Sequence, residues 1–254
     1  MNHNTSPSGA FFFIAGFKMM FNPALRWFVF APLLINVFVL SAIVYWTLQK
    51  FSGLMAILVG WLPEWMSFSE YLLWPLFLLG VIVSVFFLFT VIGNLIASPF
   101  NAILAEKVQR MEGFTLPDVA LKDWLVILPK NIGRELRKIQ YYLPKILLLL
   151  FLSFIPVINL ISPFIWFLFN GWMMAIQYCD YAADNRGLLF TDMMRRLNNN
   201  TSVAWSFGAT VNVMMLIPFV NLLIIPAAVI GSTLLWERRI EPSPLSINLE
   251  VRQK

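Results

Sequence analysis

The fold class this chain predicts is an all-α integral membrane protein, and three observations predict it. Of its 254 residues, 59% are hydrophobic and 12% are charged, against roughly a quarter charged in a soluble domain. The charges are also segregated, with none between Trp27 and Gln49 or between Tyr71 and Ala105. Stretches of that length and purity are membrane helices, because a helix satisfies its own backbone polar groups where no water can. The third observation is a motif that occurs twice. Ile155-Pro156-Val157-Ile158-Asn159-Leu160 recurs as Ile217-Pro218-Phe219-Val220-Asn221-Leu222, and each copy is followed by a second proline, Pro163 or Pro226. Each copy sits inside a charge-free stretch, Ile146–Cys179 or Leu197–Trp236. Proline and asparagine there interrupt a straight helix. Each stretch therefore reads as a helix–turn–helix hairpin whose arms are short for a hydrocarbon core of roughly 30 Å, which takes about 20 helical residues to span. The predicted architecture is two long transmembrane helices plus two Pro/Asn-interrupted helical hairpins, whose short arms suit partial penetration of the membrane but whose charge-free turns leave full crossing open. Amphipathic surface helices complete a single membrane domain over 1–254. Paired interrupted segments point to a transport protein; two ordinary hairpins with Pro/Asn turns are the plainer reading of the same pattern.

The elements follow in order. Residues 1–22 are a polar tail and an interfacial helix carrying Phe11, Phe12, Ile14, Ala15, Met19 and Phe21 with Lys18. The tail has no basic segment ahead of a short apolar core, so the chain is expected to insert uncleaved. Asn22-Pro23 starts the first crossing, 23–50, since asparagine caps helices and proline suits the first helical position; Pro32 inside it is a kink candidate. Trp61, Pro63, Glu64 and Trp65 mark an interfacial loop over 51–69. The second crossing, 70–105, is expected to bend or break near Pro99. Residues 106–145 carry Lys107, Arg110, Lys122, Lys130, Arg134, Arg137, Lys138 and Lys145, with Leu121, Trp124, Leu125 and Leu128 at helical spacing, and read as basic amphipathic helices. The first hairpin spans 142–179, a solvated charged connector Asp180–Arg196 follows, the second hairpin spans 203–236, and 237–254 is a polar tail opened by Glu237-Arg238-Arg239.

Lysine and arginine placement sets orientation. The loop between the two crossings has only Lys50 at its edge, which puts both termini and the 106–145 region in the cytoplasm. One cysteine, Cys179, and one histidine, His3, exclude an intrachain disulfide and a His/Cys metal site within one chain. No glycine-rich phosphate loop is present. No cofactor, metal or nucleic-acid partner is expected, and no nucleophile or histidine accompanies the connector carboxylates Asp180, Asp184 and Asp192, so the chain is not read as an enzyme.

The sharpest local signal is Asn22-Pro23-Ala24-Leu25-Arg26. A capped helix start leaves backbone N–H groups open, here those of Ala24, Leu25 and Arg26, at the positive end of the helix dipole. Such a start binds sulfate-like anions, and Arg26 adds a planar donor fork. The plainer reading is a capped helix with an arginine anchored at the headgroups. Glu106 and Arg110, four apart beside Lys107, face one side of a helix; they read either as a mouth that admits anions or as an exposed ion pair. Asn36, Asn94 and Asn101 are amides in apolar surroundings, suited to interhelical hydrogen bonds or to a polar path. Asn159 and Asn221 are turn residues.

These residues resemble a known family. The Asn22–Arg26 start is similar to that of the first crossing in the CysZ sulfate permeases. So are Ala97-Ser98-Pro99-Phe100-Asn101 with Leu104-Ala105-Glu106, Tyr142-Leu143-Pro144, and Trp166-Phe167-Leu168-Phe169. The most specific match is Ala175-Ile176-Gln177-Tyr178-Cys179-Asp180-Tyr181 with Asp184-Asn185. The likeness extends from about Gly9 to Trp236. One departure is Trp27, where the family often has a second arginine. The resemblance implies a bacterial inner-membrane sulfate permease or channel that imports sulfate for cysteine biosynthesis. Ala24, Leu25 and Arg26 would be the sulfate site, and Asn36, Asn94, Asn101, Glu106, Lys107 and Arg110 the pathway. It also implies homo-oligomers within the lipid bilayer, related oxyanions such as sulfite as further ligands, and neighbouring protomers in inverted orientation. The basic bias favours one orientation instead. The alternative function is a non-transporting membrane scaffold or regulator.

Overall fold

The computed structural model describes residues 7–61, 70–114, 124–217 and 221–242. Every regular element among the described residues is helical. The chain divides into two compact units, Trp27–Phe100 and a larger one of Met1–Arg26 with Asn101–Lys254.

The smaller unit is built on two helices. α2 (Arg26–Gly60) runs for 35 residues with Pro32 inside it. Its segment Arg26–Lys50 is, among the described residues, long and apolar enough to cross a membrane. Large apolar side chains along it, Phe38, Tyr45, Trp46 and Leu48, are exposed, as suits a surface solvated by lipid. The loop expected from residue 51 starts later, because Phe51–Gly60 contains no proline and is rich in good helix formers such as Leu54, Met55 and Leu58. Trp61 is exposed; Pro63, Glu64 and Trp65 lie outside the described residues. α3 (Glu70–Met111) is 42 residues long, with Pro75 and Pro99 inside it and a shorter apolar stretch at Trp74–Leu88. The break expected near Pro99 does not occur, although the boundary between the two units falls directly after Phe100.

In the larger unit, the basic segment and the first hairpin arm are one helix, α4 (Trp124–Ser153). Leu121 and Lys122 lie outside the described residues, as do the side chains of Trp124, Leu125, Leu128 and Lys130. The repeated motif turns the chain as its prolines dictate. α4 ends, a four-residue α5 (Pro156–Asn159) forms, and α6 (Ser162–Asn185) returns, with Pro156 and Pro163 each in the first turn of its helix, where no N–H is needed. The Ser153 and Ser162 hydroxyls meet at 2.5 Å, and Trp166 Nε1 donates to Ser153 Oγ at 3.1 Å, which ties the two arms just behind the tip. At the tip, Val157 and Leu160 are exposed.

The connector differs from expectation. Asp180–Asn185 is still α6, Gly187 turns the chain at φ 70, and α7 (Phe190–Asn199) follows, burying Phe190, Met193, Met194 and Leu197. The second hairpin comprises α8 (Thr201–Met215) and α9 (Asn221–Leu235), with 218–220 outside the described residues. Each of these arms has 15 residues, about 22 Å at 1.5 Å per residue, short of the roughly 30 Å core. Pro226 lies inside α9 rather than at its start.

Glycines set the closest approaches. A Cβ on Gly208 would collide with the Gly171 carbonyl, where α8 meets α6, and one on Gly16 would collide with the backbone of Ala227 and Gly231 on α9. The second contact belongs to α1 (Gly9–Met19). This helix was expected to lie on the membrane surface, but it packs on α8 and α9 with Gly9, Phe12, Phe13 and Gly16 buried. The Gly9 amide donates to Ser206 Oγ at 2.8 Å.

Candidate functional site

Asn22 caps the start of α2 with both of its acceptors. Its Oδ1 accepts from the Ala24 amide at 3.0 Å, and its carbonyl accepts from the Leu25 and Arg26 amides at 2.9 Å. The capped start is as the sequence indicates, but the expectation that the amides of Ala24, Leu25 and Arg26 stand open is corrected: all three are engaged by Asn22. Leu25 is fully buried and anchors the turn, while Ala24 and Arg26 are exposed. Among the described residues the Arg26 guanidinium has no hydrogen-bond or ion-pair partner.

The pathway candidates divide between the two units. Asn36 belongs to the smaller one; its Oδ1 is buried and has no hydrogen-bond partner among the described residues. Asn94 is in the same unit, and its side chain lies outside the described residues. Asn101, Glu106, Lys107 and Arg110 share the last turns of α3 in the larger unit. Asn101 is buried. Arg110 Nε meets Glu106 Oε1 at 2.8 Å, the pair that their spacing of four predicts. Lys107 is exposed.

Two buried polar clusters surround this end of α3, and neither was anticipated. In the first, Asp180 is no solvated connector residue. Its Oδ1 lies 2.6 Å from Arg134 Nη2 and its Oδ2 lies 2.7 Å from Lys138 Nζ, with side-chain exposures of 7% for Asp180, 11% for Arg134 and 3% for Lys138. Arg134 also reaches Asp184 Oδ1 at 3.1 Å and the Leu188 carbonyl at 2.6 Å. Burial alone would lower the Lys138 amine, but the Asp180 and Glu135 carboxylates outweigh it and hold the amine above its ordinary value.

The second cluster is centred on Glu237, in a π-helical turn (Trp236–Ile240) that closes α9. Glu237 is fully buried. Gln109 Nε2 donates to its Oε1 at 2.8 Å, and Arg186 binds both of its oxygens. Gln109 also donates to the Ala182 carbonyl at 3.0 Å and accepts from Asn185 Nδ2 at 2.9 Å. Arg186 lies over the Phe114 ring at 4.3 Å. Burial pushes the Glu237 carboxyl above its ordinary value, against the opposing pull of Gln109 and Arg186. Arg238 closes the rim with a two-point pair to Glu112 at 2.7 and 2.8 Å. These partners are up to 128 residues apart, so no local spacing announces them. The one sequence signal is an acid placed directly after an apolar stretch, at Trp236-Glu237.

The candidate residues thus comprise an exposed, uncommitted guanidinium at the start of a long apolar helix and, separately, a polar end of α3 beside buried charges that are neutralised internally. That combination is suited to handling a small anion rather than to bond chemistry. Comparison with known proteins agrees. Residues 12–226 match the family described as Sulfate transporter CysZ/Etoposide-induced protein 2.4. The chain is 43% identical over 235 residues to a Pseudomonas aeruginosa (strain LESB58) protein named Sulfate transporter CysZ, covering 91% of this chain and 95% of the relative. Proteins of the same name from Pseudomonas syringae pv. tomato and Pectobacterium atrosepticum are 44% and 39% identical, covering 88% and 91% of this chain and 89% and 85% of their own lengths.

Proposed function

Because this chain belongs to the Sulfate transporter CysZ/Etoposide-induced protein 2.4 family, we propose that it carries sulfate across a bacterial inner membrane into the cytoplasm, where the sulfate serves cysteine biosynthesis. It acts as a transporter and not as an enzyme. Near full-length similarity to several proteins named as sulfate transporters supports this. The structural observation that carries it is Arg26. A charged fork with no side-chain partner among the described residues stands at the start of the segment long enough to cross the membrane. Sulfate, or a related oxyanion such as sulfite, meets Arg26 first, with Ala24 and Leu25 shaping the turn rather than donating to the ion. It then passes Asn36, Asn94 and Asn101 and the Glu106, Lys107 and Arg110 end of α3. α2 and α3 cross the bilayer, the hairpins enter it partway, and both termini face the cytoplasm, as the basic residues direct. Exposed apolar side chains on α2 and at the first hairpin tip suit contact with lipid and with further copies in a homo-oligomer.

The test is radiolabelled sulfate uptake into vesicles that hold only the purified protein. Uptake above that of empty vesicles, saturating with sulfate, is expected. Uptake no greater than that of empty vesicles, at every pH and membrane potential, would favour the non-transporting scaffold.

A further inference from the structure

The two acids of the C-terminal turn are held differently. Glu237 is fully buried and bound by Gln109 and by Nε and Nη2 of Arg186. Glu241 is 31% exposed, and its Oε2 sits between two guanidiniums from different parts of the chain. One is Nη1 of Arg186, just past the end of α6, at 3.1 Å; the other is Nη1 of Arg196 on α7. Arg186 is only 8% exposed. It is further fixed by the Phe114 ring at 4.3 Å and by the Glu241 carbonyl, which accepts from its Nη2 at 3.2 Å.

One terminal nitrogen from each of two arginines meets a single buried oxygen in ion pairs, without a hydrogen bond of good geometry to it, and paired guanidiniums of this kind suit a multi-oxygen anion that can satisfy both. Here the oxygen belongs to a side chain of the protein itself. We propose that Arg186 and Arg196 form a second oxyanion site, for a free tetrahedral dianion of the sulfate class, and that Glu241 is its built-in competitor. The identity of the anion rests on the transport reading; the existence of the site does not.

The charges agree with this. Arg186 and Arg196 are balanced by Glu237 and Glu241. When Glu241 swings out, Glu237 stays on Nε and Nη2 of Arg186, and the pair keeps one uncompensated positive charge beside the freed Nη1 of Arg186 and the guanidinium of Arg196. A dianion with four acceptor oxygens can then engage both arginines at once. Glu241 can leave because it is partly exposed and lies at the end of the turn; Glu237 cannot, because it is enclosed. A tethered group competes at an effective concentration in the millimolar range. The site therefore has a lowered apparent affinity and fills mainly at free-anion concentrations high enough to displace Glu241.

Sulfate binding to the full-length protein in detergent, measured by calorimetry, tests the proposal. An Arg26→Ala background lowers binding at the first site. Glu241→Ala in that background should bind sulfate at least tenfold more tightly than the background alone, and adding Arg196→Ala should abolish the gain. Glu112→Ala, which removes a carboxylate that serves Arg238 instead, should leave affinity unchanged. Glu241→Gln keeps the side chain's shape, and is the second variant if alanine does not fold by size exclusion. An unchanged affinity in the folded Glu241 variants, a gain that survives Arg196→Ala, or an equal gain in Glu112→Ala overturns the site. An absence of vesicle flux would remove the transport reading and leave a positive binding result standing. Unchanged affinity would remove the second site and leave the flux standing.

Discussion

At the scale of single residues, the uncommitted guanidinium of Arg26 is what the transport proposal turns on. Hydrogen bonds to charged groups contribute roughly 1.5–3 kcal/mol. At about 1.4 kcal/mol per decade, Arg26→Ala should weaken sulfate binding roughly ten- to a hundredfold by calorimetry. Arg26→Lys should recover part of this, because a point charge lacks the planar fork. Trp27→Arg, which restores the family's common pair, should bind no more weakly than the parent. A folded Arg26→Ala protein that binds as the parent does would make Arg26 a headgroup anchor. Asp180 has the opposite kind of role, holding Arg134 and Lys138 inside the protein. Removing one partner of a buried pair costs about 3–5 kcal/mol. Asp180→Ala should lower the melting temperature sharply in detergent; a melting curve superimposable on the parent's would show that the cluster contributes nothing to stability. Arg26 was legible in the sequence because its signal is local, an Asn-Pro start followed by an arginine. The engagement of its neighbouring amides was not, because either oxygen of Asn22 could have been left to solvent. Asp180, Glu237 and Gln109 were hidden for a different reason. Their burial comes from helices that meet only in three dimensions, and in the linear pattern they look like any charge at the end of an apolar stretch.

At the scale of elements, the repeated Ile-Pro-x-x-Asn-Leu motif was the most readable part of the fold. In the first copy its prolines start α5 and α6, as their missing N–H groups require. The second copy is less regular, because its second proline follows Asn221 one residue later than Pro163 follows Asn159, and it falls inside α9. Helix ends set by weaker signals were missed. α2 outlasts its last charge, Lys50, and α3 runs through Pro99. α1 reads as interfacial in the sequence because it is too short to span, and its docking on α8 and α9 is not foreseen there; its Gly9 and Gly16, which let it sit backbone to backbone on its neighbours, give no periodic pattern. The hairpins give a direct test of depth. With Cys179 replaced, single cysteines at Asn159 and Asn221 should react slowly with impermeant thiol reagents from either side of the membrane. Fast labelling from the periplasmic side alone would mean that the arms cross fully and that partial entry is wrong.

For the molecule as a whole, stability should depend on pH through Glu237. Its carboxyl holds a proton to a higher pH in the folded protein than in the unfolded chain. Ionisation therefore disfavours the fold above the folded value, and this penalty fades as pH falls through that value towards the ordinary carboxylate range. Glu237→Gln never ionises there. The stability of the parent relative to Glu237→Gln should thus improve in parallel thermal melts as pH is lowered towards the ordinary carboxylate range. A difference that stays constant as pH is lowered would mean that Arg186 and Gln109 fully offset the cost of burial.

The docking of α1 on α8 and α9 also says something about how the protein is made. α1 leaves the ribosome roughly 200 residues ahead of its main seat, Asn221–Leu235, and also ahead of Ser206. At about 5–20 residues per second, the wait between them is roughly ten to forty seconds. Throughout that interval an apolar segment with exposed glycines has no partner of its own to bind. The growing chain must therefore be sheltered, by lipid or by the insertion machinery, until α9 emerges and gives α1 its seat.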